Sequence, residues 1–259
     1  ERIDNARDNS TVVLPNNYLL ESGFTGNGIS INKNLKIDGN GFTINANGSA
    51  RIFNITGAAV TLQNIKFING KLEGMGAALY CKDSNLTIIN CTFSNNHATG
   101  DNSQGGAVFF NGDKLTIFNS EFIANSADYD GGAVYLKGDY GIINASNFTN
   151  NRAYFNGAVY MNSLNGTVDD CLFANNVATN SSGALGWVKK QNGTVFNSYF
   201  INNTAPFGGA IYVNEGNNLT VEASKFIKNN ASIGGAIYLT GGDGIIANSS
   251  FDRNSASED

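Results

Sequence analysis

The chain has 259 residues, of which 41% are hydrophobic and only 14% charged, with 31 Gly, 2 Pro and a net charge of −5. That composition can fill a long core but disfavours helix, and the lack of clustered Lys and Arg argues against a nucleic-acid or anionic-membrane partner. No apolar run approaches the roughly 18 residues of a membrane-spanning helix.

Residues 1–59 are irregular. Ile29-Ser30-Ile31, Leu35 to Gly41, Thr43-Ile44 and Ile52 to Ile55 still read as strands punctuated by turns. We assign 1–59 to an N-terminal cap and the first, wider rungs of a stack, because an open stack end presents unpaired strand edges. Over residues 60–259 a repeat of about 26 residues takes over. Phe67, Phe93, Phe122, Phe148, Phe173, Phe200, Phe226 and Phe251 recur at intervals of 25 to 29 residues. Three positions after each Phe from Phe93 onward stands an Asn, from Asn96 to Asn254, and two further on an Ala, from Ala98 to Ala256; the first copy has Gly70 instead of Asn. Between these marks runs Gly-Gly-Ala-(Ile/Val)-Tyr, as in Gly234-Gly235-Ala236-Ile237-Tyr238. The sequence starts at Glu1 without a signal peptide and stops at Asp259 inside an eighth copy, so a larger parent protein is expected.

Each copy holds three short runs of alternating apolarity, for example Ala236 to Leu239, Gly244 to Ile246 and Ser249 to Phe251. A unit this small cannot bury its own apolar face, so successive units must stack in register. The expected fold is a single all-β domain, a right-handed, single-stranded parallel β-helix (solenoid) of about ten rungs with three strands per rung. Stacked Asn side chains would hydrogen-bond at a corner, the Gly pair would permit φ > 0 at the next, and the Phe column would fill the interior. A propeller needs blades of about 40 residues, and a leucine-rich horseshoe needs a Leu scaffold that is absent.

Alternation then assigns faces. Val134 and Leu136 share one face with Val108/Phe110, Val159/Met161, Ile211/Val213 and Ile237/Leu239, which should be the core. The residues between them form an outward column of Tyr80, Phe109, Tyr135, Tyr160, Tyr212 and Tyr238, interrupted at Gly186, where a bulge could return Trp187 to the column. This column reads either as a self-stabilising aromatic ladder or as a strip that stacks sugar rings or receives a protein. Loops before the Gly pair vary most, and rigid scaffolds place binding in such loops. They carry Tyr129, Tyr154, Phe155 and Phe207, which extend the candidate ligand-binding set Tyr135, Tyr160, Tyr212 and Tyr238.

For catalysis and metals the expectation is none. Asp169 and Asp170 are adjacent and so face opposite ways along a strand, and Glu222 lies two rungs away. Asp101, Asp128 and Asp130 lack a regular metal spacing and read as solvated turn residues; His97 reads as an exposed turn residue. No cofactor is expected. Cys91 and Cys171 fall three copies apart, about 14 Å, too far for a disulfide; a Cys81–Cys91 bridge is compatible with spacing but not required, and all three read as small core residues. Asn-x-(Ser/Thr) sequences at Asn47, Asn85, Asn165, Asn192, Asn218 and Asn248 are compatible with a glycosylated surface.

The pairing of Phe-x-x-Asn with Gly-Gly-Ala-Ile, as in Phe200, Asn203 and Gly208 to Ile211 or Phe226, Asn229 and Gly234 to Ile237, resembles the repeats of polymorphic membrane proteins, surface adhesins of intracellular bacteria. The opening Ile31 to Ile44, with Arg51 to Ile55 and Phe67 to Gly70, is similar to adhesin-like proteins of methanogenic archaea. That resemblance implies a secreted or cell-surface β-helix, and on it the expected function is an adhesin module that binds a surface glycan or protein of another cell, as a monomer. The alternatives are a passive spacer projecting other domains and, behind it, a polysaccharide lyase or hydrolase.

Overall fold

The computed structural model describes residues 2–21, 26–188, 192–214, 218–241 and 243–258, so Glu1 and Asp259 lie outside the described residues. These residues form a right-handed parallel β-helix with three main sheets of ten, nine and ten strands, every pairing between rungs being parallel. One rung illustrates the course of the chain. Val134–Lys137 lies in the nine-stranded sheet, Tyr140–Asn144 and Asn147–Thr149 in the two ten-stranded sheets, and Val159–Asn162 returns beside Val134–Lys137 one rung on. The rung also holds a fourth strand that the expectation of three per rung omits. Arg152–Ala153 belongs to a narrow sheet running from Lys71–Glu73 to Val177–Ala178. Strands of two or three residues bounded by Asn carry too little alternation to read in sequence. Before the repeats, Ser10–Val13 pairs with Leu35–Asp38, and the short helix Arg2–Asn5 adds Ile3 to the apolar core.

In-register stacking puts Phe67, Phe93, Phe122, Phe148, Phe173, Phe200 and Phe226 in one buried column, with successive ring centroids 4.7 to 4.9 Å apart. Burial of each ring contributes roughly 2–3 kcal/mol, alongside the inward Val, Ile and Leu columns that share the core. The next column is polar and fully buried. Asn176 Oδ1 accepts both the backbone N–H (2.9 Å) and the side-chain Nδ2 (3.0 Å) of Asn151, while its own Nδ2 donates to the Phe148 carbonyl (2.9 Å) and to Asn203 Oδ1 (3.0 Å). All four hydrogen-bonding positions of the carboxamide are thus satisfied, which removes the desolvation cost of burying it. The same pattern runs from Asn96 to Asn254. Gly70 replaces the first Asn because a Cβ there would lie 2.2 Å from the Ala77 carbonyl oxygen; its N–H binds Asn96 Oδ1 instead.

The corners differ from expectation in who supplies the left-handed backbone. Gly131 does so at the Gly pair (φ 63°), and Gly132 is needed for close approach, since a Cβ would sit 2.1 Å from the Gly157 carbonyl oxygen. Two other corners per rung are mostly Asn, including Asn64, Asn90, Asn119 and Asn197 at one and Asn69, Asn95, Asn150 and Asn202 at the other. Asn tolerates this conformation best among residues with a side chain, which accounts for much of the chain's Asn content. All three cysteines are free and buried, and burial pushes each thiol up to about 12. Cys91 and Cys171 stand in a serine column, where each backbone N–H binds the hydroxyl of the next rung's Ser120 or Ser198.

Replacing Asn176 by Ala strands hydrogen-bonding groups of Asn151, Phe148 and Asn203 in the interior. Urea unfolding should show a loss of about 3 kcal/mol or more, with a smaller loss for Asn254→Ala at the partly exposed end.

Candidate functional site

The outward aromatic column forms as its spacing predicts. Tyr80, Phe109, Tyr135 and Tyr160 pair rung by rung, Gly186 follows, and Tyr212 and Tyr238 continue the column. The core alternation holds too, with Val134, Leu136, Val159 and Met161 fully buried. Trp187 does not return to the column. It pairs with Met161 and Val213 on the core side, fully buried, and its ring takes the space left by Gly166 and Gly193, where an added Cβ would lie 2.5 and 2.6 Å from the indole. No bulge turns the strand, so the alternation keeps Trp187 inside.

The tyrosines of the column are half-buried and Phe109 is buried. Their rings stack on one another. Centroids are 5.1 Å apart for Tyr80 and Phe109, 5.5 Å for Phe109 and Tyr135, 4.3 Å for Tyr135 and Tyr160 and 5.7 Å for Tyr212 and Tyr238, with planes within 13° of parallel. Ring faces are consequently spent inside the ladder, and edges point to solvent. Burial, above all, raises the phenols of Tyr135 and Tyr160 above their ordinary range. At the N-terminal end the ladder is closed by a cation. Arg51 lies 4.9 Å from the Tyr80 ring and donates to the carbonyls of Met75, Gly76 and Asn27; burial lowers it to about 10.

The loop aromatics divide. Tyr129 packs edge-on against Phe155 (5.2 Å) beside Tyr135, and Phe155 against Tyr154 (4.6 Å). Tyr154 also accepts from Asn180 and lines a shallow groove with His97, Asp128 and Arg152 along the narrow sheet. Phe207 stands apart, tilted against Tyr238 at 5.7 Å. The structure therefore brings Tyr129, Phe155, Tyr135 and Tyr160 into one region and places Phe207 with Tyr212 and Tyr238 in another.

Asp128 is the exposed turn residue expected, with local partners, whereas Asp130 departs from the solvated-turn reading. Asp128 binds His97 Nε2 at 2.9 Å and the Gly100 N–H at 2.9 Å; burial opposes ionisation, but these partners hold its carboxyl below the usual range. His97 itself belongs to the narrow sheet (His97–Thr99) rather than to a turn. Asp130 is 7% exposed and accepts from Asn156 Nδ2 at 2.8 Å. Burial raises it to about 7, against the hydrogen bonds from Asn156 and Gly131. The Ser181 hydroxyl in turn donates to Asn156 Oδ1 at 3.3 Å, so Asp130, Asn156 and Ser181 form a buried polar chain under the loop aromatics. Sequence reasoning missed it because an Asp before a Gly pair reads as a turn. The one available signal was Asn156 in a Gly position. Asp169 accepts from Asn144, and Asp170 from Asn197, so the two carboxylates engage different neighbours. Among the described residues no group of three or more His, Cys, Asp or Glu converges to hold a metal.

The family model for a right-handed β-helix region matches residues 77–256. No curated protein matches the chain. Among solved structures the chain is similar to a periplasmic alginate epimerase double mutant at 11% identity and a TM-score of 0.25, covering 86% of this chain and 78% of that one; a likeness at this level carries no argument about activity.

The buried Asp130 predicts a pH dependence of stability. Its folded pKa lies above the unfolded one, so its contribution is fully present below about pH 4 and is lost as pH rises through about 7. Unfolding by urea should show a drop of up to about 4 kcal/mol across that window, and Asp130→Asn should flatten it.

Proposed function

The chain belongs to the right-handed β-helix family, and on that scaffold we propose that it is an extracellular adhesive module, secreted or held at a cell surface, that binds a glycan or protein of another cell through one lateral face. The observation that carries the reading is the aromatic column itself. Six rings from Tyr80 to Tyr238 align on one sheet, and Tyr129, Phe155 and Phe207 from the variable loops meet it along the same edge. A rigid surface of Tyr edges and hydroxyls supplies contact area at low cost in side-chain entropy. The working unit is a monomer, no nucleic acid is involved, and no reaction is assigned to it.

A spacer role has one observation in its favour. Rings that stack on one another already satisfy much of their own surface, as the parallel Tyr135 and Tyr160 rings show. A spacer needs the ladder for stiffness and nothing else from it.

Binding of the labelled domain to a panel of microbial and host cells and immobilised glycans separates the two. Wild-type binding should fall at least tenfold in the variant with Tyr135, Tyr160, Tyr212 and Tyr238 changed to Ala, once circular dichroism shows that the variant is folded. Equal binding by both proteins would refute a role for this face, and no binding by either would favour the spacer.

A further inference from the structure

Gly186 interrupts the ladder at one rung. Tyr160 pairs with Gly186 and Gly186 with Tyr212, so the two rings stand on either side of a position without a ring. Two steps of about 4.8 Å put their planes roughly 9.6 Å apart, twice the separation of stacked neighbours. One flat ring fits between them at ordinary stacking distance. Elsewhere along the ladder each ring lies against another, as Tyr135 lies against Tyr160 and Tyr212 against Tyr238. The mutually facing sides of Tyr160 and Tyr212 are the exception.

The gap is built into the rung. A Cβ on Gly186 would lie 1.7 Å from Asn156 Oδ1, so a side chain there would force the Asn156 carboxamide out of its place. In most other rungs the position of Asn156 is held by Gly, with Ser182 in the next rung, and at Gly76 an added Cβ would already lie 3.0 Å from Phe109 Cβ, the ladder residue of the following rung. Asn156 takes the left-handed conformation that Gly usually supplies (φ 46°), and its carboxamide is directed by Asp130 and Ser181, all three under 10% exposed. The result is a notch with two aromatic walls and a carboxamide at its base. Tyr160 and Tyr212, its walls, are each partly exposed.

We propose that this notch is a carbohydrate subsite that receives a single pyranose ring, sandwiched between Tyr160 and Tyr212 above the Asn156 carboxamide. Aromatic walls suit the C–H faces of a sugar, and a polar base suits the hydroxyls at its rim. The proposal rests on the adhesive reading and narrows it, naming the place where a glycan engages ring faces rather than ring edges.

The double variant Asn156→Gly/Gly186→Tyr gives these two positions, which lie in successive rungs, the residue types most other rungs carry and closes the notch with a seventh ring, leaving Tyr160 and Tyr212 in place. Titration calorimetry with neutral, acidic and amino oligosaccharides of three to eight units compares it with the wild type and with the Tyr-to-Ala face variant. The expected result is wild-type binding that weakens at least tenfold in the double variant, whose circular dichroism and cooperative unfolding stay native-like. Unchanged binding by a folded double variant, with binding lost in the face variant, overturns the notch and keeps the adhesive face. Absence of wild-type binding to every oligosaccharide overturns both. Saturation of the wild type by a planar aromatic probe such as an indole, with no sugar competing for it, overturns the choice of ligand. Should the double variant fail to fold, Tyr212→Ala, which opens one wall, is read in its place and must also weaken binding tenfold.

Discussion

Parallel strands stacked at a fixed step of about 4.8 Å force every side chain to lie on its counterpart in the next rung. That single constraint decides which residues the structure tolerates, because each column must be made of side chains that pack or bond with copies of themselves. Phenylalanine does so by ring stacking at 4.7 to 4.9 Å. Asparagine does so by donating and accepting through the same carboxamide, a polar solution that remains satisfied at zero exposure. The two columns divide the task. Apolar burial in the Phe column, together with the other inward Val, Ile and Leu columns, supplies the driving force, while the Asn column adds a penalty for any slip in register, since a shifted rung would bury unpaired amides.

Departures from self-stacking are informative because each has a compensating change beside it. Gly70 stands where the backbone leaves no room for an Asn side chain. Trp187 enlarges the core column, and glycine occurs at 166 and 193 where the indole lies. Asn156 and Gly186 form a third such pair, on the outer face. The first two exchanges fill the interior. The third removes a ring from a surface ladder and buries a polar chain beneath the vacancy, which costs apolar contact without improving the core. Its position next to Tyr129 and Phe155 is what draws the adhesive face and the notch into one account.

Much of this was legible in the sequence because a strict period turns position into column. The Phe, Asn and Tyr columns, the inward Val134 and Leu136 and the separation of Cys91 from Cys171 all follow from spacing and alternation. The short fourth strand that most of the repeats carry was not, because two or three residues cannot show a period. Ring orientation was not either: spacing puts Tyr135 beside Tyr160, but only the χ angles decide that their faces meet and their edges look outward. Asp130 was misjudged because its burial depends on Asn156 from the next rung, and His97 because its strand lies in the narrow sheet. Each miss concerns a contact between rungs that no local pattern records.

If the columns are what hold the fold, any rung should be able to lie on any other. Excision of residues 203–228, one period of the repeat, joins Asn202 to Asn229 and seats Asn229 directly above Asn176. The account predicts that amide hydrogen exchange of this shortened chain shows continuous protection across the new junction, with one cooperative unfolding transition. Rapid exchange throughout, in a chain that no longer folds, would contradict the claim that self-stacking columns alone specify how the rungs assemble.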